Sequence, residues 1–166
     1  MTTTHHPSDT RHPIPTRLDV DAAVPAFSRA MSRLDGSATQ ELDRVGFPPG
    51  LRELVRLRAS QINGCAYCVD THSTDAASAG EAAQRIHAVA VWHESPFFTD
   101  RERAALRFTE VVTRVAETHV PQEEYDAVAA HFSPDEVGAL LALVVTINAW
   151  NAIAVASRAW EPVLAG

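Results

Sequence analysis

Cysteine is nearly missing from this 166-residue chain, with only two, at positions 65 and 68. Two cannot build the disulfide framework of a small secreted domain, and a chain of this length buries most of its apolar surface without staples. No basic segment runs into an apolar stretch near the first residue, so no signal peptide is expected. Long apolar runs are lacking too. The longest, 138–147, is interrupted by Asn148 and Asn151; it is too short to span a bilayer and reads as a buried helix. Positive charge is scarce: 14 basic against 21 acidic side chains leave a net charge of −7, which repels phosphate backbones and anionic membrane surfaces. Neither nucleic acid nor membrane is an expected partner. The chain has no glycine-rich phosphate loop, no fixed-period repeat and no convincing strand pattern, so no nucleotide cofactor is expected. The expectation is one cytoplasmic domain, where a cysteine pair is more often catalytic or metal-binding than a structural staple.

What the chain does have is helical punctuation. Residues 1–16 hold Thr, His, Pro and Ser with little to bury, and are expected as a flexible tail in which His5 and His6 are solvated. Residues 17–166 form the domain. A helix over 22–34 is ended by Asp35-Gly36, and Ser37 caps a second to 45. Leu51, Leu54, Val55, Arg58 and Ile62 follow the i, i+3, i+4 rule, giving an amphipathic helix over 51–61 that Asn63-Gly64 closes. A helix over 65–79 stops at Gly80, and a shorter one covers 81–91. Thr99 to Glu102 and Ser133 to Glu136 have capping-box spacing; they open helices to 117 and through 160, and Pro121 starts one over 122–132. The last helix carries Leu140, Leu141, Leu143, Val144, Val145 and Ile147 with almost no polar face. It is expected to be buried all round, in its own fold and against another subunit. The fold class is therefore all-α, single-domain and oligomerising.

The chemistry concentrates in Asn63-Gly64-Cys65-Ala66-Tyr67-Cys68-Val69-Asp70-Thr71-His72. At about 100° per residue, positions three, four and seven apart share a helix face, so Cys65, Cys68 and His72 form one stripe. A helix N-terminus, a second thiol and a nearby imidazole all favour a thiolate, the reactive form of sulfur. That makes a reactive dithiol. Three other readings compete. A thioredoxin-type site needs a βαβ setting that is not there; a zinc site could use Cys65, Cys68, His72 and a carboxylate, but no second ligand pair follows; and both thiols could be small core hydrophobes. Glu53 lies twelve positions before Cys65 on the preceding helix, which completes the pattern E-x11-C-x2-C-x3-H.

That pattern resembles the AhpD-like alkylhydroperoxidases of the carboxymuconolactone decarboxylase superfamily. The stretches Leu54 to Cys65, Trp92-His93-Glu94-Ser95-Pro96 and Ile147-Asn148-Ala149-Trp150-Asn151 are similar to that family as well, and the likeness covers 27–160. The resemblance implies an all-helical trimer or hexamer that reduces hydroperoxides. It implies Cys68 as peroxidatic cysteine, Cys65 as resolving cysteine, His72 as acceptor of the Cys68 proton and Glu53 in the same relay through water. The helix dipole by itself would favour Cys65 as the thiolate, but an exposed dipole is typically worth under about 1 kcal/mol and a direct proton acceptor weighs more. A dithiol reductant such as a lipoyl domain or a thioredoxin-like protein would then reopen the disulfide. A redox sensor and a non-redox decarboxylase-like enzyme of the same superfamily are the alternatives. One position departs from the family: Tyr67 stands where a histidine is usual, and a phenol is a poor base at neutral pH. Trp92, His93, Phe97 and Phe98 read as core and turn residues, His87, His119 and His131 as surface or packing histidines, and Trp150 and Trp160 as core of the last helix.

Overall fold

The chain, described over residues 14–162 in a computed structural model, is all-helical, and no strand occurs among the described residues. In order the helices are α1 (Val20–Ala23), α2 (Pro25–Arg44), α3 (Pro49–Asn63), α4 (Ala66–Ser78), α5 (Ala83–Ala88), α6 (Asp100–Thr113), α7 (Val115–Thr118), α8 (Gln122–Ala129) and α9 (Pro134–Ser157). A 3₁₀ segment, Val89–Glu94, joins α5 to the loop before α6.

Helix α3 organises the rest through three faces. Leu51 and Val55 enter a core built with α6, α8 and α9, around Phe108, Val128, Leu140, Leu143 and Val144. Leu54 and Leu57, on a second face, meet Ala76, Ile86, Val89, Trp92 and Leu106. At 100° per residue, Glu53, Arg56 and Ser60 fall together on the remaining face. Leu143 is fully buried in the first core, and Leu143→Ala is expected to lower stability by about 3 kcal/mol. Urea titration would show it as an earlier midpoint at unchanged slope.

Both capping boxes form. Thr99 and Ser133 accept from the N–H of Glu102 and Glu136, whose carboxylates accept the N–H of Thr99 and Ser133 in return. Other boundaries differ from expectation. Asp35-Gly36 does not end a helix: α2 runs straight through it. Met31, Ala38 and Leu42, on both sides of the expected break, form one continuous buried face, and burying it outweighs the roughly 1 kcal/mol that an interior glycine costs. The helix expected to 117 kinks at Arg114 (φ −101°, ψ 34°) and resumes as α7. The stretch expected as helix over 81–91 turns into the 3₁₀ segment at Val89. There Arg103 donates to the carbonyls of Trp92, His93 and Ser95, and Trp92 donates to Glu110 at 2.8 Å.

Helix α9 is long and apolar enough to cross a membrane by length and composition, with mean hydropathy 2.0 over its most apolar stretch, yet much of it packs in the core. Its own fold leaves one side uncovered. Leu141, Val145 and Val155 are 41%, 50% and 43% exposed and form an apolar stripe along one side. The helix also ends earlier than expected, at Ser157, where Arg158 takes a left-handed conformation (φ 52°). The Ser157 carbonyl accepts the N–H of Arg17 and Leu18, and Ile14 N–H donates to Glu161 Oε1 at 2.9 Å. The two ends of the described chain are thus tied together. The tail expected over 1–16 lies outside the described residues up to position 13.

Candidate active site

The cysteine motif is placed by a connection of two residues. Gly64 adopts φ +67°, a left-handed conformation that a residue with a Cβ resists, and closes α3 so that Cys65 N–H reaches the Ser60 carbonyl at 3.0 Å. Cys65 then becomes the N-cap of α4, its Sγ accepting the Cys68 N–H at 3.2 Å. The two cysteines are joined in a disulfide, with Cα atoms 5.3 Å apart.

α3 and α4 pack against each other, which brings Glu53 onto His72: Oε2 lies 2.9 Å from Nδ1. The contact is direct, where the resemblance implied water. A carboxylate only accepts, so His72 Nδ1 carries the proton and Nε2 is the nitrogen left over. Glu53 Oε1 accepts from Arg56 Nη1 at 2.6 Å. Burial by itself would raise the Glu53 carboxyl, but the His72 hydrogen bond and the Arg56 charge outweigh it and hold the group below the usual carboxylate range. Asp75 approaches the same group, the three ligand atoms of Glu53, His72 and Asp75 lying within 4.8 Å. Both Glu53 oxygens are already engaged, Oε1 by Arg56 and Oε2 by His72.

A cavity of about 410 Å³ opens over Cys68 and His72. Tyr67, Ile147, Trp150 and Trp160 give it an apolar wall, and Asp35, Thr39 and Arg56 a polar one. Cys65, 1% exposed, is not part of this lining. Trp150 and Trp160 are therefore not mere core residues. Trp160 lies beyond α9 and stacks with Tyr67 and against Trp150, ring centroids 5.8 Å apart in each pair. Tyr67 serves as a packing aromatic in this wall. Trp92 and His93, by contrast, line neither this cavity nor any surface near the thiols; they stack on each other and pair with Glu110. Behind the motif, Asn63 donates to Asn148 and Asn151 at 2.7 and 2.9 Å, and Asn151 donates to Ser60. This network pins α3 to α9 beneath the disulfide.

Sequence reasoning missed Arg56 as a partner of Glu53, although i, i+3 spacing of opposite charges was available as a signal. It also missed Asp35 and Thr39. Nothing local to α2 says that it borders the same cavity as α4.

A helix opened by paired cysteines against a buried glutamate, in an all-helical chain, is AhpD-like in class. Residues 25–111 match the carboxymuconolactone decarboxylase family, and the chain belongs to that family. Among its relatives, the uncharacterized protein YdfG of Bacillus subtilis is 40% identical over 105 residues, which cover 63% of this chain and 71% of YdfG. The uncharacterized protein YnjA of Escherichia coli is 35% identical over 104 residues, covering 63% of this chain and 57% of YnjA. A solved structure from Agrobacterium tumefaciens, a protein of unknown function provisionally assigned to the antioxidant defence protein AhpD, superposes with a TM-score of 0.84. It is 37% identical, over 90% of this chain and 100% of that one.

Proposed function

We propose that this protein is a thiol peroxidase that reduces organic hydroperoxides by cycling Cys65 and Cys68 between dithiol and disulfide. The observation that carries the reading is the arrangement around Cys68: it lines a cavity together with His72, and His72 is held by a buried, ion-paired Glu53.

In the reduced protein His72 takes the Cys68 proton, and Glu53 steadies the imidazole in the required tautomer. The Cys68 thiolate attacks the distal oxygen of the hydroperoxide. The O–O bond breaks, the departing alkoxide takes a proton to leave as alcohol, and Cys68 becomes a sulfenic acid. Cys65 attacks that sulfur, hydroxide leaves with a proton as water, and the Cys65–Cys68 disulfide forms. The aromatic wall of Tyr67, Trp150 and Trp160 suits an apolar organic group better than hydrogen peroxide. A dithiol, from a lipoyl domain or a thioredoxin-like protein, closes the cycle in a cytoplasmic setting. Assembly as a trimer or hexamer is part of the proposal. It is supported by the apolar groove that Leu141 and Val145 of α9 line together with Phe108, Val112, Val115 and Tyr125.

The deciding experiment adds one equivalent of cumene hydroperoxide to reduced protein and follows its mass. Stoichiometric loss of two hydrogens at Cys65 and Cys68 is expected. Thiols that stay reduced in folded protein would overturn the reading.

A further inference from the structure

We infer that the disulfide is reopened from the side opposite the Cys68 cavity, by a narrow dithiol that enters a second pocket framed by the two ends of the described chain and attacks Cys65. The inference deepens the peroxidase reading and rests on it for the cycle it completes.

The two sulfurs of one disulfide open onto different spaces. Cys68 lines the cavity with His72; Cys65 lines a separate pocket of about 270 Å³ that Cys68 does not reach. Tyr67 and Trp160 border both and form the partition. Ile14 and Arg17 on one side, and Arg158 and Glu161 on the other, frame the second pocket. The hydrogen bonds from Ile14 to Glu161 and from Arg17 and Leu18 to Ser157 fix this frame. A cysteine 1% exposed among the described residues is reached only through such an opening.

The chemistry favours the same sulfur. Exchange requires a thiolate to approach along the S–S axis, on the far side of the sulfur that leaves, and the better leaving sulfur is the one more stable as thiolate. Attack on Cys65 expels Cys68 into the cavity that holds His72 and Arg56. The Cys68 N–H already directed at Cys65 Sγ supports the charge that spreads over the central sulfur. Arg17 and Arg158 against a single Glu161 give the rim an excess of positive charge, which attracts a thiolate.

The step balances. The incoming thiolate bonds to Cys65 Sγ, the Cys65–Cys68 bond breaks and Cys68 departs as thiolate. The second thiol of the same molecule, deprotonated, attacks its own bound sulfur and releases Cys65 as thiolate. The two protons of the dithiol end on Cys65 and Cys68, and the reductant leaves as a disulfide. A volume of this size admits a slender, unbranched dithiol and not the surface of a folded protein.

The test starts from the disulfide form, prepared with diamide so that no peroxide is needed. Excess 2-mercaptoethanol is added, the reaction is quenched in acid within seconds, and the adduct is located by fragmenting the tryptic peptide 59–85. The adduct is expected on Cys65; an adduct mainly on Cys68 overturns the inference. A second measurement uses Val155→Trp, a partly exposed position on the rim, and dithiothreitol as reductant. Re-reduction is expected to slow by about tenfold or more because the ring fills the opening. An unchanged rate in folded variant overturns the inference as well. Failure of the cumene hydroperoxide experiment would remove the peroxidase reading and leave these two readouts intact.

Discussion

Cys68→Ser is expected to reduce hydroperoxide turnover to background, a loss of about 10³-fold or more, with the fold intact. Serine is close to cysteine in size, and the site is buried at 5% exposure, so packing changes little. What disappears is the ionisable sulfur. A hydroxyl beside the same His72 ionises far less readily than a thiol and is a poor nucleophile toward peroxide oxygen. Cys65→Ser should behave differently. Cys68 still faces the cavity, so this variant is expected to consume one equivalent of cumene hydroperoxide, accumulate Cys68 sulfenic acid and then stall. Stopped-flow peroxide consumption, with dimedone trapping read by mass spectrometry, separates the two. Equal behaviour of the two variants would remove the division of labour between the sulfurs.

The second large effect belongs to Glu53. Glu53→Gln keeps the volume but removes the charge that orients His72 and neutralises Arg56, at side chains only 11–15% exposed. Peroxide oxidation of Cys68 is expected to slow by about 10²-fold, within the usual range for a disrupted proton relay. Stability at neutral pH should fall by about 3 kcal/mol, because Arg56 is left without its nearest partner. The pH dependence follows from the lowered Glu53 carboxyl. A group whose folded pKa lies below its unfolded value stabilises the fold above the unfolded value, near about 4.3, and loses that contribution as pH falls through the folded one. The stability gap between wild type and Glu53→Gln is therefore widest at pH 7 and narrows below about pH 5. Urea denaturation of both proteins at pH 7 and pH 4 checks this. A gap that is constant with pH would mean that the carboxylate charge contributes nothing.

The same residues mark how far the sequence reached. Cys65, Cys68 and His72 share a stripe because helical geometry is local: their spacing alone sets their angular relation. The two capping boxes were legible for the same reason, since each is a four-residue exchange of hydrogen bonds. Gly64 was legible as a helix end because few residues other than glycine enter a left-handed turn without cost. The Asp35-Gly36 break was misread because local propensity is weak, and the buried face of Met31, Ala38 and Leu42 overrides it.

The sequence by itself determined an all-helical chain, the position of its paired cysteines at a helix start, and the family pattern that links Glu53 to them. Tertiary structure alone decided that Glu53 touches His72 directly, that Asp35, Thr39 and Trp160 close a cavity over Cys68, and that Cys65 faces elsewhere. These last facts depend on how α2, α9 and the two ends of the described chain pack around the pockets that α4 lines. Such packing is set by the sum of many burial terms across distant residues, which no spacing within a single segment records.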